Sequence, residues 1–294
     1  MILFFKPYFS SRPWHGNKLS KLYDCPLDTG EAWIISGIHD KSSVIINGKY
    51  QGLTLEQLFN EHKEDLFGLP DSNEFPLLLK IIDADTDLSI QVHPDNEYAR
   101  KRHNGNGKFE SWYFLDGSKA SEVIVGTSAT SKEELIKALE DNKIMDIIKS
   151  YPLKPKDYVS IVPGTIHALK GGSLVLETQQ PSDITYRLFD YNREPRRELH
   201  IEDALNVIDY SSRPTIRDFS NDSYDENIYF SFDKFSIDNK VIYKPAKKFN
   251  VIYIIEGKGK IDGEDVKTND ALIVFTDLDN IKFEGEMTLV KIND

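Results

Sequence analysis

The stretch Ser89-Ile90-Gln91-Val92-His93-Pro94 places polar side chains at every second position, with aliphatic ones between them. In a β-strand alternate residues face opposite sides, so Ser89, Gln91 and His93 share one face while Ile90 and Val92 share the other. Two ligating side chains two residues apart on a strand face are how a sheet aims a pair of donors at one ion. Lys108 and Glu110 in "GKFESW" repeat that spacing, and His167 in "PGTIHAL" follows Pro163-Gly164, a turn able to bring a side chain to the mouth of a barrel. Gln91, His93, Glu110 and His167 together offer two nitrogens and two oxygens, a set suited to Zn²⁺ and to other divalent ions. The competing reading makes His93 and His167 half-buried, hydrogen-bonded histidines and Glu110 a surface carboxylate, and spacing alone does not bring the four together. His15, His39, His62, His103 and His200 read as solvated or structural.

Holding such residues requires strands, and strands predominate. Short β-like runs fill residues 1 to 60, including "EAWIIS" and "SSVIING", and later come "LLLKII", "LSIQV", "ESWYFL", "SEVIVG", "YVSIV", "GSLVLETQ" and "DITYRLF". Helical spacing marks "TLEQLFNEHKEDLFG" behind a Thr54 N-cap, "SKEELIKALEDNKIMDIIKSY" behind a Ser131/Glu134 capping box, and "HIEDALNVIDY". Residues 211–226, "SSRPTIRDFSNDSYDE", are rich in turn formers and mark a boundary, predicting domains over 1–215 and 216–294. The second carries short strands typical of a sandwich or barrel, and no histidine or cysteine follows His200, so it is expected to be metal-free and to serve by covering apolar surface.

The 294 residues are 39% hydrophobic and 29% charged, an ordinary soluble composition. No apolar run of about 18 residues is present to span a bilayer. "MILFFKPYF" is interrupted too early by Lys6 and Pro7 for a signal peptide, which places the expected location in the cytoplasm. Cys25 is the sole cysteine, which excludes an intramolecular disulfide and a thiolate zinc cluster. The formal net charge of −12 opposes nucleic acid and anionic membranes as partners, and leaves a small anionic substrate wherever positive charge is gathered locally.

Several stretches in order, "RPWHGNKL", "GEAWIIS", "NGKYQGLTLEQL", "DLSIQVHPDNEYA", "GKFESWY", "PGTIHAL" and "LETQQPSDITYRLFDYNR", resemble the type I mannose-6-phosphate isomerases, in their short bacterial form, across residues 10 to 210. The resemblance implies a mainly β fold: a cupin (jelly-roll) barrel with helical insertions plus a second, smaller cupin-like domain. It implies one Zn²⁺ per chain on Gln91, His93, Glu110 and His167, with Lys108 and Arg187 as active-site cations, Glu177 as acid/base carboxylate and Ser89 at the substrate pocket. Trp14-His15-Gly16 stands where the short bacterial forms usually have Trp-Gly-Gly.

On that reading the substrate is a phosphosugar and the reaction an aldose-ketose isomerisation, in which a divalent cation and nearby positive charge stabilise an enediolate while a base moves a proton between adjacent carbons. Ile90 and Val92 are expected to hold the barrel core behind the ligands. The alternatives are a sugar-phosphate-binding cupin without turnover, and an iron-dependent oxygenase, against which Gln91 in place of a first histidine argues. The sequence leaves the oligomeric state open. Arg193, Arg196 and Arg197 read as a solvated charge cluster from which Arg193 could reach a phosphate.

Overall fold

Alternation of buried and exposed side chains organises the chain into antiparallel sheets, described for all 294 residues by a computed structural model. The chain divides into two compact units, one of residues 1–9, 32–80 and 219–294, the other of 10–31 and 81–218. The linear division at 215/216 therefore differs from the compact units, although the turn-rich stretch 211–226 does contain one passage between them. The reason is long-range pairing: strand Ile2–Lys6 lies antiparallel to Ala271–Phe275, so the N-terminal strand clusters with the C-terminal segment.

The unit holding the C-terminal segment is built on an eight-stranded sheet, ordered Ser223–Glu226, Ser231–Tyr243, Ile281–Asn293, Phe249–Ile261, Ala271–Phe275, Ile2–Lys6 and Val44–Ile45, with Glu264–Lys267 paired to Phe249–Ile261. Its apolar core joins Ile2, Ile252, Ile254, Leu272, Phe283 and Leu289. The helix Leu55–His62 starts with the expected Thr54 cap, and Gln57 closes the box by returning its side chain to the Thr54 N–H. Its Phe59 belongs to an aromatic cluster in which Phe67 packs edge-on against Phe249 at 5.5 Å and Phe275 at 5.1 Å. Deleting residues 219–294 removes Phe249, Phe275 and every strand paired to Ile2–Lys6 except Val44–Ile45. The expected product is insoluble or aggregated, as read by sedimentation and size exclusion, although every candidate ligand remains. A soluble, monodisperse truncation would overturn this packing role.

In the other unit, strands Thr215–Asp218, Asp157–Ile161, Glu110–Phe114 and Leu174–Gln179 are hydrogen-bonded in that order within a seven-stranded sheet. A five-stranded sheet runs Tyr186–Phe189, Ile90–Val92, His167–Leu169, Glu122–Thr127 and Ile148–Pro152. Trp112, Phe114, Val159 and Val175 from the first meet Val123, Val125 and Leu169 from the second, so one core lies between the two sheets. The outer side of the five-stranded sheet buries Ile90, Val92, Ile124, Ala168 and Leu188 against Leu135, Ile144 and Ala204 of helices Lys132–Glu140, Ile144–Ile147 and Ile201–Val207. Ile90 and Val92 thus support a helical layer rather than the inter-sheet interior. This corrects the expectation, because pleating fixes which residues share a face but not which layer covers it.

Two local details also depart from the sequence reading. At the helix Lys132–Glu140, Ser131 accepts from the Glu134 N–H, but the Glu134 carboxylate takes the N–H and hydroxyl of Thr130 in place of the Ser131 N–H. A further helix, Asn96–His103, was not expected. Its N-cap is Asp95, whose carboxylate accepts from the Tyr98 N–H at 2.8 Å, and it ends in a left-handed Asn104. No helix is long and apolar enough to cross a membrane.

Candidate active site

Ladder register brings the polar residues of the five-stranded sheet together. Gln91 stands directly opposite His167 on one side and opposite Arg187 on the other, so all three side chains project from the same face. His93, just past the end of its strand, points the same way. On the facing sheet, Glu110 opens its strand opposite Gln179, and Glu177 sits opposite Trp112. The candidate ligands therefore come from both sheets and meet at one end of the core between them.

His93, Glu110 and His167 place ligand atoms within 4.8 Å of one another, all three residues buried. His93 Nδ1 lies 2.9 Å from the Ile184 carbonyl and His167 Nδ1 2.9 Å from the Thr165 carbonyl. A carbonyl only accepts, so each Nδ1 carries the proton and each Nε2 presents a bare lone pair. Those two Nε2 atoms are 3.2 Å apart. Glu110 adds Oε1 at 3.2 Å from His167 Nε2 and Oε2 at 3.4 Å from His93 Nε2, and neither oxygen accepts a well-aligned hydrogen bond. Two imidazole nitrogens and a carboxylate gathered this closely, with no proton shared among the three, form a donor set that could hold a metal ion.

Charge is arranged to match. Burial, joined by the Lys108 charge, pushes the His93 imidazolium down to about 3, and burial also lowers His167, so both rings are neutral at neutral pH. Lys108 Nζ is 2.6 Å from Glu110 Oε2 and 3.1 Å from His93 Nε2. Burial works against the Lys108 ammonium, yet the carboxylates of Glu110, Glu177 and Glu31 hold it above its ordinary value. Burial likewise opposes the Glu110 carboxylate, but Lys108 and, after it, the two histidines together more than offset it and keep Glu110 well below the usual range.

Gln91 lies against both histidines, with its Nε2 3.2 Å from His167 Nε2 and its Oε1 accepting from the Ser89 hydroxyl at 3.3 Å. Glu177 is buried and receives the Trp112 indole N–H on Oε1 at 2.9 Å. The Trp112 ring also packs edge-on against His167 at 5.5 Å. Arg187 is half-buried and donates through Nε to the Glu198 carbonyl. Arg193 and Arg197 do not form a solvated cluster: both converge on the buried carboxylate of Asp190, and only Arg196 is well exposed. Arg193 further donates to the Asp87 carbonyl, which commits it to holding a loop.

One pair had no assigned role in the sequence. Arg12 grips Glu31 with two parallel bonds of 2.9 and 3.1 Å, and Glu31 adds to the negative charge around Lys108. Both lie in the stretches "RPWHGNKL" and "GEAWIIS", but a contact between residues 19 apart leaves no local signature. The His15-Gly16 turn sits against Asp83, whose carboxylate accepts from the Lys18 N–H. A Cβ at Gly16 would lie 2.4 Å from that carboxylate, so the close approach requires glycine at 16 whatever stands at 15.

The neutral histidines make metal-stripped protein sensitive to acid. In the unfolded chain they take up protons near their ordinary value of 6.5, whereas in the fold His93 does so only near 3. For His93 the unfolded state therefore binds more protons across that window, and stability falls as pH is lowered from 6.5 toward 3, by up to about 1 kcal/mol per pH unit, with His167 acting in the same direction. Urea unfolding of chelator-treated protein at neutral pH and near pH 5 is expected to show the lower midpoint at pH 5. An unchanged midpoint would refute neutral buried imidazoles.

Comparison with known proteins begins with a model of the type I phosphomannose isomerase catalytic domain, which matches residues 14–127. The mannose-6-phosphate isomerase ManA of Bacillus subtilis is 41% identical in an alignment covering 96% of each chain. This chain belongs to the type I phosphomannose isomerase family. The mannose-6-phosphate isomerase of Streptococcus mutans is 33% identical over 98% of this chain and 96% of its own. The crystal structure of the Bacillus subtilis mannose 6-phosphate isomerase aligns with a TM-score of 0.91 at 32% identity, covering 100% of this chain and 99% of that one. The mainly β architecture is accordingly the cupin fold of this family.

Proposed function

We propose that this chain interconverts mannose 6-phosphate and fructose 6-phosphate with one zinc ion per chain held by Gln91, His93, Glu110 and His167. The observation that carries this reading is the buried meeting of two imidazole lone pairs with an ionised carboxylate, in a member of this family. A set of nitrogen and oxygen donors without thiolates suits Zn²⁺. Gln91 completes it by a half-turn of its carboxamide, which exchanges Nε2 for Oε1.

When bound, the ion supplies Lewis acidity to the sugar's carbonyl and hydroxyl oxygens. The remaining work belongs to side chains. Lys108, kept charged by its carboxylate neighbours, offsets negative charge developing on oxygen, and Arg187 does so from the strand opposite Gln91. Glu177 takes the proton from C2 of mannose 6-phosphate and returns it to C1, a role that contributes roughly 10²–10⁴-fold in comparable enzymes. The Trp112 N–H on Oε1 fixes the direction in which Glu177 presents its other oxygen. Ser89, beside Gln91, offers a hydroxyl to the sugar.

The test is metal analysis together with a coupled mannose 6-phosphate turnover assay on the same sample. Zinc near one equivalent per chain, with activity lost on chelation and restored by zinc, is the expected result. Zinc-loaded protein that binds the phosphosugar without turnover would instead identify a binding module.

A further inference from the structure

Arg187 is held by more than its own strand. Its backbone N–H donates to His200 Nδ1 at 3.3 Å, and the His200 N–H returns a bond to the Arg187 carbonyl at 2.8 Å. Two residues earlier, the Glu198 carbonyl accepts from Arg187 Nε at 2.9 Å. Residues 198 to 200 thus engage both the main chain and the guanidinium of Arg187, while its two Nη groups have no protein acceptor. The other end of the clasp is anchored, since the His200 carbonyl accepts from the Ala204 N–H and caps the helix Ile201–Val207. His200 Nε2 faces the Glu198 carboxylate at 3.8 Å, which suits a proton on Nε2 and a lone pair on Nδ1.

We propose that His200 is a positioning residue for Arg187, aiming the free edge of the guanidinium at the substrate through the Nδ1 acceptor. This rests on the catalytic reading of Arg187 above. A histidine set aside in the sequence as solvated or structural thereby acquires a defined task. The task needs an acceptor at the δ position and little else of the ring, and that requirement separates positioning from packing.

Three substitutions test it. In His200→Asn the side-chain Oδ1 replaces Nδ1 at the same bond distance from the backbone, in His200→Gln the acceptor moves one bond outward, and in His200→Leu it is absent. His200→Leu and His200→Gln are expected to lower kcat on the order of 10-fold with KM and metal content little changed, as misaimed catalytic groups do, and His200→Asn is expected to recover most of the loss. Hydrogen exchange at the Arg187 amide, read by NMR, is expected to speed up in the first two and return toward wild type in the third. Unchanged kcat and exchange in His200→Leu and His200→Gln would overturn the proposal. So would an Asn variant as impaired as the others, which would indicate packing alone. If the Leu variant does not fold, the Gln and Asn pair decides the matter. An inactive wild type would overturn the isomerase reading instead, and the exchange measurements would still show whether the clasp exists.

Discussion

Glu110→Gln and His93→Ala are each expected to strip the protein of its metal and, with it, of turnover. The Gln variant is the sharper, because it keeps the shape of the side chain and removes only the charge. Around Glu110 stand two neutral imidazoles and the Lys108 ammonium, 2.6 Å from Oε2. Without the carboxylate the cage holds no nearby anion among its donors and one fixed cation, so a divalent ion is repelled rather than drawn in. Loss of an outer partner to a metal ligand costs about 10- to 100-fold in affinity, and loss of a direct ligand is expected to exceed about 100-fold. Breaking a buried ion pair from one side also destabilises by roughly 3–5 kcal/mol, although Glu31 and Glu177 soften this for Lys108. His62→Ala, which loses contacts with the exposed Asp65 and the Tyr50 ring, is the control and is expected to retain metal. Elemental analysis after gel filtration reads the outcome. Full occupancy in both Glu110→Gln and His93→Ala would dismiss these residues as ligands.

Much of this centre was legible because strand geometry is local. The period of two fixed which side of residues 89–93 faces the donors, and the turn before His167 marked an entry point. What the local pattern did not carry was partnership across the core. Gln91 and Glu110 lie on different sheets, with the helix Asn96–His103 between them in the chain, and only long-range register brings their side chains together. That helix went unexpected because four basic residues in its last turn hid any apolar period, and only the structure shows Asp95 capping its start. Asp190 shows the opposite failure. Arg193 and Arg197 look like exposed charge in the sequence because nothing nearby reveals that the aspartate between them and the strand is buried. The discontinuous units follow the same rule, since the pairing of Ile2–Lys6 with Ala271–Phe275 spans almost the whole chain.

Arg187→Ala is expected to leave metal and fold intact while lowering kcat/KM by at least about 100-fold, the scale seen when a preorganised electrostatic donor is removed from a sheltered site. Its place in the ladder opposite Gln91 puts it on the face that carries Gln91 and His167, yet none of the close contacts among His93, Glu110 and His167 involves it. Burial and the neighbouring Arg197 both work to lower its guanidinium, though not enough to discharge an arginine near neutral pH. A cation kept there at electrostatic cost, with both Nη groups unclaimed by the protein, is placed for an anionic ligand or an oxygen that becomes one. Its effect should therefore fall mainly on kcat if it meets charge developing in the transition state, and mainly on KM if it meets the phosphate. Arg187→Lys sharpens the comparison: lysine restores a charge but not the planar fork or the Nε bond to Glu198, so little recovery is expected. Near-normal turnover in Arg187→Ala would remove it from the chemistry and leave Lys108 as the one side-chain cation proposed to act on the reacting oxygens beside the metal.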